Sequence, residues 1–181
     1  KQGCTVALVA LEDQMAVAAQ AMLAIDMNIP LSKFRFSPPP KSEVQSHRDA
    51  LFGGDKCFLW KHYGGINSDS FLDKMYYYAR AKKCDFIVLD HFSDVVAGSS
   101  EPNERRAIDQ MMKQLSKLVV ETGVGLIMVV HLKRPIGDKS FSRGGEVSLD
   151  DLRGSAAIEQ YSWGVIGLER DQQGEDADFS R

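Results

Sequence analysis

The chain has 181 residues, 44% of them hydrophobic and 26% charged, with a formal net charge of −3. That is the size and make-up of one folded domain with a substantial core, and it argues against a disordered chain. No apolar stretch approaches the roughly 18 residues of a transmembrane helix, no segment reads as a signal peptide, and the charge offers no global attraction to nucleic acid.

The chain opens at Lys1 without an initiator Met and passes at once into an apolar run, Val6 to Leu11, which suggests a piece of a longer protein. A continuous run of Val, Ala and Leu flanked by helical patterns reads as a buried parallel strand. Asp13 is placed to cap a helix reaching about Asn28, stopped before Pro30. That helix is rich in Ala and Met on most faces, so it is either deeply buried or an interface. Ser37 to Lys41 holds three consecutive prolines and reads as a loop or short polyproline stretch. A short helix over Glu43 to Leu51, a Gly53-Gly54 turn and a short strand over Cys57 to Trp60 follow.

After Gly64-Gly65, Ser68 is expected to cap a helix carrying Phe71, Leu72, Met75, Tyr78 and Ala79 on one face. A second apolar run, Phe86 to Leu89, ends on Asp90. Asn103 starts the next helix, whose stripe is Ile108, Met111, Leu115, Leu118 and Val119, and Gly123 stops it. A third run, Leu126 to Val130, ends on His131. A polar loop from Lys133 to about Leu149, a short helix near Ser155 to Gln160 and a last strand over Trp163 to Leu168 come next. The tail from Asp171 is acidic and rich in Gly and Gln, a linker by composition. Alternating strands and helices predict an α/β fold with a parallel sheet. The three cysteines form no CxxC pair, and reduced, structural thiols in a cytosolic setting are expected.

Three of these strands end on residues that do chemistry: Glu12, Asp90 and His131. Ligands of open α/β sheets bind outside the carboxyl ends of the strands, so two carboxylates and an imidazole are expected along one edge. An Asp after four apolar residues supplies the hard, fixed oxygen that orients Mg²⁺ beside phosphates. Glu12 can polarise a water for in-line attack on a terminal phosphate, or it can cap the next helix; position alone leaves both open. His131 can sense that phosphate or be a structural residue, and His91, beside Asp90, has the same ambiguity. The loop after His131 carries Lys133, Arg134, Lys139 and Arg143 among glycines, a cationic composition that suits a phosphate backbone.

The segment Phe86–Arg170 resembles the ring-shaped replicative DNA helicases, a RecA-like motor family, and within it the phage helicase–primase branch. The matching text is FIVLDH at Phe86–His91, ERRAIDQMMKQL at Glu104–Leu115, TGVGLIMVVHLKRP at Thr122–Pro135, VSLDDLRGSAAIEQ at Val147–Gln160 and GLERDQQG at Gly167–Gly174. VALVALED at Val6–Asp13 resembles the strand that delivers the family's catalytic glutamate, whereas residues 28 to 82 match only loosely. The resemblance implies a RecA-like parallel sheet flanked by helices over residues 1–170, with residues 171–181 as an acidic tail. It implies Glu12 as general base, Asp90 as the Mg²⁺-associated carboxylate, and His131 and Gln160 as the pair coupling phosphate state to DNA contact. Lys133, Arg134, Lys139, Arg143 and Arg153 would contact single-stranded DNA, and Arg170 would lie near the nucleotide base at a subunit boundary. The implied cofactors are ATP or dTTP with Mg²⁺. The implied partners are single-stranded DNA, further copies in a hexameric ring, and a replication machinery with primase and polymerase. The setting would be cytoplasmic, in a phage-infected bacterial cell or an organelle, with no membrane.

Two departures from the family pattern stand out. No G-x-x-x-x-G-K-[ST] occurs, so the loop that cradles phosphates is expected before Lys1 and the arginine finger beyond Arg181. Glu159 occupies a place where the phage relatives favour a basic residue. Alternatives to a helicase are a RecA-type recombinase ATPase and a non-catalytic relative that binds DNA or completes a ring.

Overall fold

A computed structural model describes residues 3–61, 68–132, 148–152 and 156–168. Four parallel strands form one sheet: β1 (Val6–Ala10), β2 (Cys57–Trp60), β3 (Phe86–Asp90) and β4 (Gly125–Met128), in the order β2-β1-β3-β4. Between β1 and β2 run α1 (Met15–Asp26), α2 (Leu31–Phe36) and α3 (Lys41–Phe52). Between β2 and β3 runs α4 (Ser68–Tyr76), continued by a π-helical turn over Tyr77–Ala81. Between β3 and β4 run α5 (Phe92–Ala97) and α6 (Glu104–Thr122), and a 3₁₀ turn (Leu149–Asp151) and α7 (Ala156–Tyr161) close the described chain. This is the expected α/β architecture.

The pairing aligns Ala7 with Ile87 and Val9 with Leu89 on β1 and β3, and Ile87 with Leu126 and Leu89 with Met128 on β3 and β4. Because side chains alternate along a strand, these residues share one face. Ala7, Val9, Ile87 and Leu89 are fully buried, together with Phe71 and Met75 of α4, Val95 of α5, and Leu115 and Leu118 of α6. The other face carries Leu8, Val88 and Ile127, of which Ile127 is 53% exposed. The strands are apolar on both faces, as the sequence predicts, but among the described residues only one face is fully covered. A smaller apolar cluster, Leu23, Ala24 and Phe34 with Val44 and Leu51 against it, binds α1, α2 and α3 to one another.

The helix signals in the sequence are answered unevenly. Asn103 caps α6 by accepting from the Arg106 N–H at 3.1 Å, and Gly123 ends it at φ 72°, a left-handed conformation that glycine adopts without steric cost. Asp13 does not cap α1. The N-cap is Gln14, which makes no side-chain capping bond. The proline triplet leads into α3, where the Pro40 carbonyl accepts from the N–H groups of Glu43 and Val44. Ser68 opens α4 itself, and its side chain lies outside what the structure describes. Neither α2 nor α5 was expected; each is six residues long, too short to show a periodic stripe.

The strand expected over Trp163–Leu168 is not formed. Residues 162–168 hold no regular element, and Trp163 is 97% exposed. Gly164 and Gly167 interrupt the run, and a glycine-weakened segment without a paired neighbour has nothing to hold it extended. The polar loop expected after Lys133 and the acidic tail fall largely or wholly outside the described residues. No described helix is long and apolar enough to cross a membrane.

Candidate active site

The sheet order places a crevice at one spot. From β1 the chain moves outward to β2, then returns to the other side of β1 for β3 and continues to β4. The connections leaving β1 and β3 therefore run in opposite directions, and the gap between the two carboxyl ends is the topological switch point where open α/β sheets bind ligands. Ala10 pairs with Asp90 as the last position of that register, and the Leu11 N–H donates to the Asp90 carbonyl at 2.6 Å. On the far side of β3, the Val129 N–H donates to the Leu89 carbonyl at 2.9 Å and the Phe92 N–H to the Val129 carbonyl at 3.0 Å. These bonds extend the ladder past its named ends and bring the residues that follow each strand together.

Three side chains meet there. The Glu12 carboxylate oxygen Oε2 lies 3.3 Å from His91 Nε2 and 3.8 Å from His131 Nε2, and the two imidazole centroids are 4.1 Å apart. The three candidate ligand atoms all lie within 4.8 Å of one another, and Asp94 Oδ1 is 3.8 Å from His91 Nε2. The His91 side chain is 9% exposed, against 61% for Glu12 and 48% for His131. One wall of the cluster is thus fixed, and two arms reach into solvent where a substrate can enter. Asp90 is half-buried at the same edge, and its carboxylate has no hydrogen-bond or ion-pair partner among the described residues. A free carboxylate oxygen on a rigid strand end fits a hard cation such as Mg²⁺.

The expected meeting of Glu12 with His131 is therefore found, with Asp90 in register beside them. The nearer of the two imidazoles to Glu12 is that of His91, which the sequence leaves ambiguous. Its only signal is that it directly follows a strand-end Asp. Gln160 is not among these three residues; it is exposed on α7, whose Ala157 and Ile158 are buried in the main core. It lines a cleft of about 230 Å³ with Arg105, Asp109 and Lys113 of α6 and Tyr161 of α7. Lys133, Arg134, Lys139, Arg143, Arg153 and Arg170 lie outside the described residues. The thiols take no part in the cluster: Cys4 is exposed, Cys57 half-buried and Cys84 buried, all unpaired. Burial above all, with the Asp85 carboxylate beside it, pushes the Cys84 thiol up to about 11.

A sequence profile of the DnaB-like helicase C-terminal domain matches residues 1–180. The chain belongs to that family. Among curated relatives, this DnaB-like domain is 36% identical over 181 aligned residues to the DNA helicase/primase of Enterobacteria phage T3. The match takes in 97% of the chain but 31% of the phage T3 protein, so the chain spans about a third of that relative. Among solved structures, it resembles the ATPase domain of G40P with a TM-score of 0.78 at 16% identity, covering 98% of this chain and 64% of that one. It also resembles a DnaB-like replicative helicase whose structure was described with its primase interactions, with a TM-score of 0.67 at 16% identity, over 88% of this chain and 38% of that one. At this identity the two structural likenesses speak to the fold alone: the DnaB-like chain carries the same parallel sheet flanked by helices.

Proposed function

We propose that this DnaB-like chain is the motor part of a replicative DNA helicase, which couples hydrolysis of ATP or dTTP to movement along single-stranded DNA and unwinding of the duplex. The observation that carries the reading is the convergence of Glu12 and His131, with Asp90 in register, at the switch point between β1 and β3. Phosphoryl transfer to water needs little covalent chemistry from a protein. It needs a base to orient the water, a carboxylate for the metal, and polar groups on the transferring phosphate. Glu12 takes the proton of the attacking water, and the half-exposed His131 donates to a terminal phosphate oxygen. Asp90 would hold Mg²⁺, which would supply positive charge to offset that of the phosphates.

Gln160, on α7, passes the phosphate state to DNA contact. Lys133, Arg134, Lys139, Arg143 and Arg153 grip the strand in a central channel, and Arg170 sits near the base at a subunit boundary. The protein works as a hexameric ring with primase and polymerase as partners, in the cytoplasm of the host cell. The isolated chain hydrolyses nucleotide poorly or not at all, because its sequence holds no G-x-x-x-x-G-K-[ST].

A strand-displacement assay on a forked duplex tests this reading, using the intact protein that carries the chain. Unwinding that requires ATP or dTTP supports it. Strand exchange without unwinding makes the protein a recombinase, and DNA binding without hydrolysis makes it a non-catalytic relative.

A further inference from the structure

We propose that His91 is a positioning residue for Glu12, holding one carboxylate oxygen so that the other faces the attacking water. Glu12 stands on a bend after β1, outside any regular element, and is mostly exposed. A glutamate in that setting samples several rotamers, while a general base needs one. Among the described residues its ion-pair neighbours are His91 at 3.3 Å and His131 at 3.8 Å. His131 is itself half-exposed. His91 is buried, and the next residue is fixed by the bond from the Phe92 N–H to the Val129 carbonyl.

The location of the His91 proton follows from its other nitrogen. Nδ1 is fully buried and has no hydrogen-bond partner among the described residues. A buried N–H without an acceptor is costlier than a bare lone pair with no donor, so the favoured tautomer carries its proton on Nε2, the nitrogen 3.3 Å from the Glu12 carboxylate. The same reasoning weighs against a metal at Glu12, His91 and His131, although their ligand atoms are close enough together for one. Coordination through Nε2 would force the proton onto the orphaned Nδ1. At 3.3 Å the His91–Glu12 ion pair is long and not aligned as a hydrogen bond, as catalytic contacts commonly are before substrate binds. With Oε2 held by His91, Oε1 is left to accept the proton of the water.

This inference rests on Glu12 being the base. The test compares DNA-stimulated kcat and KM in the intact protein for His91→Leu, His91→Gln and His91→Asn, each alone and with Glu12→Gln. Leu keeps bulk without a donor, Gln places an amide N–H near the position of Nε2, and Asn places one near Nδ1. His91→Leu and His91→Asn should lower kcat by about 10- to 100-fold, typical for loss of an orienting partner, with KM little changed. His91→Gln should restore most of the rate, and neither loss should add to that of Glu12→Gln. Full activity of His91→Leu, a loss of equal size in the Glu12→Gln background, or failure of Gln to outperform Asn would overturn the proposal. So would a tetrahedral Co²⁺ absorption band that His91→Gln abolishes. If Glu12→Gln alone leaves kcat intact, the base assignment has failed instead. If His91→Leu does not fold, the comparison of Gln with Asn still decides.

Discussion

Leu11 donates its N–H to the carbonyl of Asp90 at 2.6 Å, one step beyond the last paired residues of β1 and β3. That single bond ties the turn bearing Glu12 to the strand end bearing Asp90 and His91. The site is therefore as rigid as the sheet at its base and mobile only at the tips of Glu12 and His131. Local stability and catalysis are separable in such an arrangement.

Asp90→Asn keeps the size of the side chain and removes its charge. Hydrolysis by the intact protein should fall by roughly 10²–10³, the usual cost of losing one group that offsets charge in the transition state. Thermal melting should be unchanged, since the Asp90 carboxylate has no partner among the described residues. A Mg²⁺ titration of the rate should show that more metal is needed at half-maximal activity.

Leu115 of α6 is almost completely buried in the main core beneath β1 and β3. Leu115→Ala should cost about 2–5 kcal/mol of stability, from lost burial and the cavity left behind. Chemical denaturation of the purified chain checks this, and a cost under 0.5 kcal/mol, about that of a surface change, would contradict the packing described here.

Asn103→Ala removes the acceptor of the Arg106 N–H and leaves the first turn of α6 with one more unpaired donor. The expected loss is about 1 kcal/mol. Asp13→Ala, by contrast, should cost almost nothing through α1, because the N-cap there is Gln14.

The cysteines should react in order of access. A water-soluble thiol reagent at neutral pH should label Cys4 first, Cys57 more slowly, and Cys84 only on unfolding. The sign of the pH effect follows from the raised Cys84 value. As pH climbs from the ordinary thiol value of 9.0 toward about 11, the unfolded chain releases this proton and the folded one keeps it. Folding stability should therefore be unaffected by Cys84 below pH 9.0 and decline above it, which denaturant titrations at several pH values would show. Cys84→Ala should reduce that decline.

Much of the site is legible in the chain because parallel strands buried on at least one face write their own ends. The runs stopping at Glu12, Asp90 and His131 can be read without knowing the register, and α6 announces itself through Asn103, its stripe and Gly123. The remainder depends on relationships that no local pattern carries. His91 touches Glu12 because β1 and β3 pair to their last residues, Ala10 and Asp90, and the Leu11 N–H adds one more bond to the Asp90 carbonyl. Two six-residue helices, α2 and α5, are shorter than two turns and show no period. Trp163, Val165 and Ile166 have strand propensity, but with glycines between them and no paired neighbour they remain irregular and exposed. Helix α1 was open between burial and an interface. Leu23 and Ala24 are buried while Ile25 is 79% exposed, so it is neither wholly buried nor covered on its outer side among the described residues.

The most direct test of the account is the rate of nucleotide hydrolysis stimulated by single-stranded DNA in the intact protein carrying Glu12→Gln, measured beside equilibrium binding of the same nucleotide. Loss of a general base predicts a fall of about 10²–10⁴ in kcat with nucleotide affinity retained. Hydrolysis at the unmodified rate would contradict the assignment of the strand-end cluster as the hydrolytic centre.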